Sequence, residues 1–500
     1  MRASPVPMTA LLDALPEKRV LGALPATVSG VAYDSRKVAP GDIFVAIPGL
    51  KQDGRRFVEN ALARGAAAVV LEGADVLEGK PTGRVLVPSS RAALARLADA
   101  YFGHPSGSLI VVGITGTNGK TTTSFMVDAL LRARGFETGL IGTVEYRIGA
   151  ERVAAGQTTP EALELQGLMR RMLDAGVAAL AMEVSSHALA LSRIDGTEFD
   201  VAVFTNLTQD HLDFHVTMEA YRQAKRRLFE LVAAGTKPAR SAVVNADDPA
   251  GLSMVADLPL RTVTYAIRGR ADVRPARWSS GGEGIRMSVR TPIGHVEIAS
   301  PLVGEHNVMN LLAATGVGVA LDMAPTDIAA ALATVTSVPG RFERVEAGQP
   351  FLLVVDYAHT PDALERTLET ARKLVGPGGR LGVVFGCGGD RDRGKRPLMG
   401  AIGARLCDRV WITSDNPRSE RPEAIIAEIA AGIPGGPAVD RHETIPDRKT
   451  AIRSALAWAR AGDVVVIAGK GHETYQIVGT EVLPFDDRAV ARAVLRGIGT

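Results

Sequence analysis

Val112-Gly113-Ile114-Thr115-Gly116-Thr117-Asn118-Gly119-Lys120-Thr121-Thr122-Thr123 is the stretch that decides the fold. It continues the apolar run 109–112, which reads as a buried strand, and leads into Ser124-Phe125-Met126-Val127, where a helical pattern opens. Strand, glycine-rich turn, Lys-Thr and helix together make a phosphate cradle. Backbone N–H groups and the helix N-terminus face an anion, Lys120 supplies a point charge, and the Thr121 hydroxyl can ligate Mg²⁺. The strict pattern wants a glycine five residues before Gly119, but Ile114 stands there, with Gly113 and Gly116 on either side. This is a phosphate loop of a variant kind. A purely structural glycine-rich turn is the weaker reading, because Gly-Lys-Thr directly after an apolar strand is a specific combination.

Outward from the loop, composition sets the bounds. Five hundred residues suggest about three domains of ~150 each. An apolar fraction of 46% and a charged fraction of 22% are those of an ordinary globular protein. A net charge of +2 gives no reason to expect nucleic acid or an anionic membrane as partner. Two cysteines, Cys387 and Cys407, argue against a disulfide framework and for a reducing compartment. The first residues are too broken by proline and charge for a signal peptide, and no apolar run reaches the ~18 residues of a membrane span. A cytoplasmic protein without membrane insertion is expected.

Three further polar loops follow apolar runs near the phosphate loop. Residues 177–182 read as a buried strand delivering Glu183-Val184-Ser185-Ser186-His187, and a carboxylate there suits a group acting on Mg²⁺ or its water. Residues 201–204 lead to the polar loop Thr205-Asn206-Leu207-Thr208-Gln209-Asp210-His211-Leu212-Asp213-Phe214-His215, whose two His and two Asp fit no standard zinc spacing. The next helix carries an apolar stripe of Tyr221, Ala224, Leu228, Phe229 and Val232, and Lys225 lies inside it. An inward lysine is costly unless it is paired, snorkels outward or is chemically altered. Pairing with Glu183 is one option. Carbamylation by CO₂ is another, since an anion suits a site beside Mg²⁺ where an ammonium does not. Further on, Gly304-Glu305-His306-Asn307 opens a long helix, with Asn310 one turn in, and Asn307 reads equally well as a cap.

From about residue 339, apolar strands alternate with helical patterns, so a parallel, doubly wound sheet is expected. Strands at 351–355, 381–385, 410–413 and 464–468 end in polar loops carrying Asp356, Arg391, Asp415, Arg418, Lys470 and Glu473. Ligands of such sheets sit at the carboxyl ends of strands, and mixed charge suits a zwitterion such as an amino acid. A phosphate loop with Mg²⁺-side groups and a separate zwitterion site implies ATP driving attachment of an amino acid to a carboxylate, through an acyl phosphate. A nucleotide-switched regulatory protein would need no zwitterion site. In residues 1–107, a compact α/β segment, only Asp34-Ser35-Arg36 and Leu50-Lys51-Gln52-Asp53-Gly54-Arg55 read as binding candidates.

As an ordered set, residues 113–122, Glu183-Val184-Ser185-Ser186-His187, Asp210-His211, the helix around Lys225, Gly304-Glu305-His306-Asn307, Arg341 and Asp356-Tyr357-Ala358-His359 resemble the Mur ligase signature along most of the chain. The resemblance implies an α/β protein of three domains. They are an N-terminal UDP-substrate-binding domain at 1–107, a central P-loop parallel-sheet ATPase domain at 108–338 and a C-terminal Rossmann-like amino-acid-binding domain at 339–500. It implies a monomeric ligase of peptidoglycan synthesis using ATP and Mg²⁺, most similar to members adding the third stem residue to UDP-MurNAc-L-Ala-D-Glu. Carried over, Gly116, Thr117, Asn118, Gly119, Lys120, Thr121 and Thr122, with Asn307 and Arg341, bind ATP. Thr121, Glu183, His211 and Lys225 as its carbamate (N6-carboxylysine) take the metal; Lys120, Glu183, His211 and Lys225 are catalytic. Ser35, Leu50, Lys51 and Gln52 fall where the family holds the uridine diphosphate end. Gln157, Thr158, Thr159, Ser185 and Arg193 fall where it holds the sugar and peptide. Many members have glutamine at the place of Leu191.

Asp415-Asn416-Pro417-Arg418 matches members that add meso-diaminopimelate; lysine-adding members lack the arginine. Diaminopimelate differs from lysine by one carboxylate, which a guanidinium can hold bidentately. Arg391, Gly469 and Glu473 match the remaining amino-acid contacts. Folylpolyglutamate synthase and the D-Ala-D-Ala-adding ligase share the fold but not this loop. The two halves of the reaction lie some 300 residues apart, so closure of domains is expected to join them.

Overall fold

Val111, Val112 and Ile114 are buried because Ile110–Thr115 is an interior strand, flanked on both sides in a sheet of eight. The computed structural model of the chain describes residues 5–49, 52–73, 75–79, 81–435 and 441–497. These form two compact units. The larger carries the eight-stranded sheet in the order Glu151–Ala154, Glu145–Ile148, Thr138–Ile141, Ala179–Glu183, Ile110–Thr115, Val201–Phe204, Ser241–Asn245, Arg261–Tyr265. Glu145–Ile148 is antiparallel to both of its neighbours, and all the other neighbouring pairs are parallel. After Ile110–Thr115 the chain goes first to one side of that strand and later to the other. Its carboxyl end is therefore the switch point where such sheets hold ligands. Near-continuous apolar strands are what a sheet covered on both faces requires.

The same unit holds a five-stranded sheet ordered Arg19–Leu21, Arg84–Val87, Ala68–Glu72, Asp42–Val45, Gly30–Ala32, parallel except for its first strand. The helix Ser90–Tyr101, capped by the Ser89 hydroxyl, packs Leu94 and Leu97 onto one face of it.

The second unit is built on a six-stranded sheet: Glu343–Arg344, Leu352–Asp356, Val464–Ala468, Leu381–Phe385, Arg409–Ile412, His442–Thr444. All neighbours are parallel except the short first strand. Alternation along the strands splits the core in two. Val354, Val383, Phe385, Val410, Ile412 and Val466 pack against the helices Pro361–Arg372, Lys395–Leu406 and Pro422–Ala430. Leu353, Val355, Val384, Trp411, Val465 and Ile467 pack against Arg448–Trp458 and Asp487–Leu495. The expected doubly wound sheet is present; the short, polar strands Glu343–Arg344 and His442–Thr444 were not anticipated. Among the described residues no helix is long and apolar enough to cross a membrane, and Cys387 and Cys407 are free and buried.

Candidate active site

The phosphate loop owes its shape to its neighbours. Ile114 is the fifth residue of the strand and fully buried, so the position where glycine was expected lies inside the ladder and the turn begins at Gly116. Gly116 has φ +147°, and a Cβ there would overlap Thr205 Oγ1 and lie 3.1 Å from the Asn206 nitrogen. Gly119 has φ +88°, and a Cβ would stand 2.5 Å from Asn310 Oδ1. Glycine is required at both places by space and by conformation. The residues after Val201–Phe204 hold the loop in place. Thr117 N donates to Asn206 O (2.8 Å) and Asn118 N to Asn206 Oδ1 (2.9 Å). Thr205 Oγ1 and Asn206 Nδ2 both donate to Asn118 O, at 2.6 and 3.0 Å. The helix Lys120–Ala133 then starts with Thr121 and Thr122 buried. Lys120 Nζ folds back onto the carbonyls of Gly116 (2.9 Å) and Thr117 (2.8 Å), over the loop it would serve. The sequence marks Thr205 and Asn206 as part of a polar loop and Asn310 as one turn into a helix, but not as braces of the phosphate loop. Their role depends on which strands lie side by side, and only the helical register of Asn310 hinted at it.

Glu183 ends the strand Ala179–Glu183, paired in register with Ile114 one strand over. It is buried, and it accepts from Thr143 N (2.8 Å) and Thr143 Oγ1 (3.0 Å). Thr143 is another contact that sequence did not reveal. The expected option of a Glu183–Lys225 pair is not realised. Lys225, on the helix Met218–Ala234, is 1% exposed and makes no hydrogen bond or ion pair among the described residues. Its Nζ sits 4.2 Å from the centroid of the Tyr221 ring. Burial, followed by the charge of Lys120, pushes its amine well below the usual lysine range, with Asp210 opposing. Burial thus favours the neutral, nucleophilic form of the amine over the ammonium.

Around it lies a cluster of rings. His187 and His211 meet edge to face at 4.8 Å, and His215 lies 5.0 Å from Tyr221, whose hydroxyl is 3.2 Å from Thr117 Oγ1. His211 takes the left-handed conformation at φ +54° and precedes the short helix Leu212–His215. Desolvation pulls both His211 and His215 down to about 4, so both are neutral near pH 7. His215 Nε2 lies 2.9 Å from Ser186 Oγ. No three His, Cys, Asp or Glu side chains among the described residues are placed to hold a metal by themselves.

On the other side of Glu183, Thr159 Oγ1 donates to the Glu183 carbonyl (2.9 Å) and accepts from Ser185 N (3.0 Å). Ser185 caps the helix Ser186–Ala190. Thr158 Oγ1 and Thr143 Oγ1 are 3.1 Å apart. Arg193 reaches Gln157 Oε1 (2.5 Å), the Thr159 carbonyl (3.2 Å) and Glu161 (2.9 Å). Gln157, Thr158, Thr159, Ser185 and Arg193 are thus one connected patch beside Glu183. Leu191 is the residue that closes the helix Ser186–Ala190. Ser35 and Gln52 follow the adjacent parallel strands Gly30–Ala32 and Asp42–Val45, at the same carboxyl edge of the five-stranded sheet. Ser35 is buried and Gln52 exposed; Leu50 and Lys51 lie outside the described residues.

In the second unit, Lys470 is fully buried and its Nζ donates to Glu473 Oε2 (3.0 Å), Asn416 Oδ1 (3.1 Å) and Asp415 Oδ1 (3.4 Å). Asn416 Nδ2 donates to Glu473 (2.9 Å), and Gly469 adjoins Asp415 Oδ2. Arg418 has φ +52° and donates from Nη1 to the Gly389 carbonyl (2.8 Å). Its backbone is zipped to the strand Tyr475–Val478: Arg418 N donates to Ile477 O, and Gly479 N to Arg418 O. Arg391 is exposed, and Gly388 lies between its stem and the Arg418 guanidinium. The four polar loops do crowd one edge. Asp356, however, is a brace: its carboxylate accepts from Phe342 N, Ala358 N and Thr367 Oγ1. Arg341 stacks 4.5 Å above the Tyr357 ring, and Asn307 Nδ2 donates to the Val303 carbonyl at 2.8 Å.

This arrangement agrees with the sequence families that the chain matches. The Mur ligase family catalytic domain matches residues 27–102, the Mur ligase middle domain 114–318, and the Mur ligase glutamate ligase domain 340–471. The chain belongs to the Mur ligase family. Among relatives of this family, the UDP-N-acetylmuramoyl-L-alanyl-D-glutamate–2,6-diaminopimelate ligase of Geobacillus kaustophilus is 48% identical over 94% of this chain and 96% of its own. The protein of the same name from Solibacter usitatus is also 48% identical, over 94% of each chain. A solved structure of a ligase of that name superposes with a TM-score of 0.69 at 34% identity, covering 99% of both chains. The architecture is that of a three-domain α/β Mur ligase.

Proposed function

We propose that the protein is an ATP-dependent peptide ligase that joins meso-2,6-diaminopimelate to UDP-N-acetylmuramoyl-L-alanyl-D-glutamate in peptidoglycan synthesis. The observation that carries this reading is the second-unit cluster, in which Asp415, Asn416 and Glu473 gather around the buried Lys470 while the Arg418 guanidinium, from the same loop, lies on the Gly389 and Asn416 carbonyls. Two carboxylates suit an ammonium, and a guanidinium suits the carboxylate that distinguishes diaminopimelate from lysine. Near full-length likeness to two ligases of that name supports it.

In this reading Lys120 and the loop residues 116–122 hold the phosphates, with Asn307 and Arg341 on the nucleotide. The γ-phosphoryl group passes to the substrate carboxylate, giving an acyl phosphate and ADP. The amine of diaminopimelate attacks the acyl carbon, phosphate leaves, and the nitrogen loses its proton. Thr158, Thr159, Ser185 and Arg193 orient the dipeptide beside Glu183, and Ser35 with 50–52 takes the uridine diphosphate end.

Three of the four metal-side groups, Thr121, Glu183 and a carbamylated Lys225, are oxygen donors of the kind that Mg²⁺ takes, a hard cation that keeps part of its shell for water and phosphate. Thr121, Glu183, His211 and carbamylated Lys225 would hold it. When bound, Mg²⁺ neutralises charge on the phosphates during transfer. Lys225 does not fit as an ammonium, since it would face the cation without an acid partner. Its neutral amine can attack CO₂, losing a proton to give the carbamate. We assign the domain borders near 107/108 and 338/339, and a monomer in the cytoplasm.

Phosphate release from ATP in the presence of UDP-MurNAc-L-Ala-D-Glu tests the function. It should require meso-diaminopimelate and proceed far more slowly with L-lysine or without an amino acid. Equal rates in all three arms would leave a nucleotide-hydrolysing regulator as the better reading. Arg418→Ala should lower kcat/KM for meso-diaminopimelate by at least ~2 kcal/mol, because the extra carboxylate loses its partner. Unchanged kinetics would remove the loop 415–418 from the site.

A further inference from the structure

The loops at 413–418 and 469–473 must keep a fixed spacing to form one amino-acid site, yet no ladder joins their strands. Arg409–Ile412 and Val464–Ala468 are both paired to Leu381–Phe385, which lies between them. Past their last ladder residues the two chains turn apart. Ser414 N points to the Pro446 carbonyl (3.4 Å), whereas Gly469 N donates to Asp356 O (3.1 Å).

Lys470 and Asn416 tie the loops together farther out, and at their roots Arg448 spans the gap. Arg448, the first residue of the helix Arg448–Trp458, donates from Nη1 to the Ser414 carbonyl (3.3 Å) and from Nη2 to the Ala468 carbonyl (3.0 Å). These are the residues immediately before Asp415 and Gly469. The guanidinium is locked by Asp487, which accepts from Nε at 2.8 Å and Nη2 at 2.7 Å. Both side chains are completely buried. Asp487 opens the helix Asp487–Leu495, where a negative charge is favoured. Arg448 opens a helix too, where a positive charge is disfavoured. A cation in that position, removed from water, stabilises little by itself; a well-packed apolar side chain would often do as well.

Resting on the ligase reading above, we propose that Arg448, fixed by Asp487, is a positioning residue. It sets the distance between the roots of the two amino-acid-binding loops and thereby the affinity and selectivity for the diamino acid. Lys470, Asp415, Asn416 and Glu473 lie one to five residues beyond those roots, so a shift at Ser414 or Ala468 is passed directly to the groups that meet the substrate. Displacements of about 1 Å are enough to cost ~10²-fold in a positioned reaction.

Arg448→Lys keeps the charge and the stem but cannot bridge two carbonyls and a carboxylate at once. Asp487→Asn keeps the shape and frees the guanidinium to turn. Steady-state kinetics of the full-length enzyme should show KM for meso-diaminopimelate raised about tenfold or more in either variant, and the preference over L-lysine reduced. KM for ATP and for UDP-MurNAc-L-Ala-D-Glu should stay within about twofold, since those ligands do not meet the clamp. A purely structural role would instead lower Tm and the active fraction with every KM unchanged, and that result in whichever variant is recovered folded overturns the proposal. The wild-type control keeps the two readings apart. Without diaminopimelate-dependent turnover in the wild type, the function itself fails; with it, and with unaltered KM in the variants, only the clamp fails.

Discussion

Gly116→Ala should all but eliminate ATP-dependent turnover, with kcat/KM falling by ~10³-fold or more. The added methyl has nowhere to go. It would overlap Thr205 Oγ1, whose hydrogen is committed to the carbonyl of Asn118, and crowd the Asn206 nitrogen. Thr205 cannot turn away without releasing Asn118, and Asn118 cannot move without disturbing both Asn206 contacts. At φ +147° an alanine is strained even in open space. The loop must therefore shift, and with it the carbonyls of Gly116 and Thr117 that locate Lys120. Charge stabilisation in phosphoryl transfer depends on such placement, so binding of ATP and the rate should fall together. Adding Thr205→Ala to Gly116→Ala removes the overlapping oxygen and should recover part of the loss, a coupling that a double-mutant cycle measures. Calorimetric ATP affinity and phosphate release equal to wild type in Gly116→Ala would show that these residues do not form the nucleotide site.

What the sequence disclosed, and what it hid, follows from the range of the interactions involved. The phosphate loop is written in consecutive residues, because strand, turn and helix start each have a local pattern. The same holds for Glu183 and for the loop at 415–418. Lys225 was visible as a break in a helical stripe. Its lack of an acid partner was not, since Glu183 is claimed by Thr143 forty residues earlier. Thr205 and Asn206 brace the phosphate loop only because Val201–Phe204 lies beside Ile110–Thr115, and periodicity does not give strand order. Arg448 and Asp487 look in sequence like ordinary charged residues at helix starts. Their burial comes from two helices packing on one face of the sheet, a property of the tertiary fold alone. Local chemistry could thus be read; the residues that hold it in place could not.

Lys225→Met should separate stability from activity more sharply than any other substitution. Methionine matches the length and fills the same space, but it has no amine to ionise or carbamylate. The lysine gives up no hydrogen bond or ion pair among the described residues when it is replaced, only its approach to the Tyr221 ring. Burying an amine without an acid partner opposes folding, so Tm should stay level or rise. Turnover should nevertheless drop by ~10³-fold or more, because the anion proposed beside Thr121 and Glu183 is missing. Wild-type protein equilibrated with ¹³C-bicarbonate should show a carbamate carbon by NMR that Lys225→Met lacks. The signal should fade as pH falls: proton uptake by the amine competes with CO₂, and the depressed amine pKa extends the neutral form to lower pH than an exposed lysine would allow. Restoring bicarbonate to acid-treated, degassed enzyme should bring back signal and turnover together. Full activity in Lys225→Met would exclude the carbamate. A Tm loss of several degrees, with unchanged turnover per folded molecule, would make the lysine a packing residue.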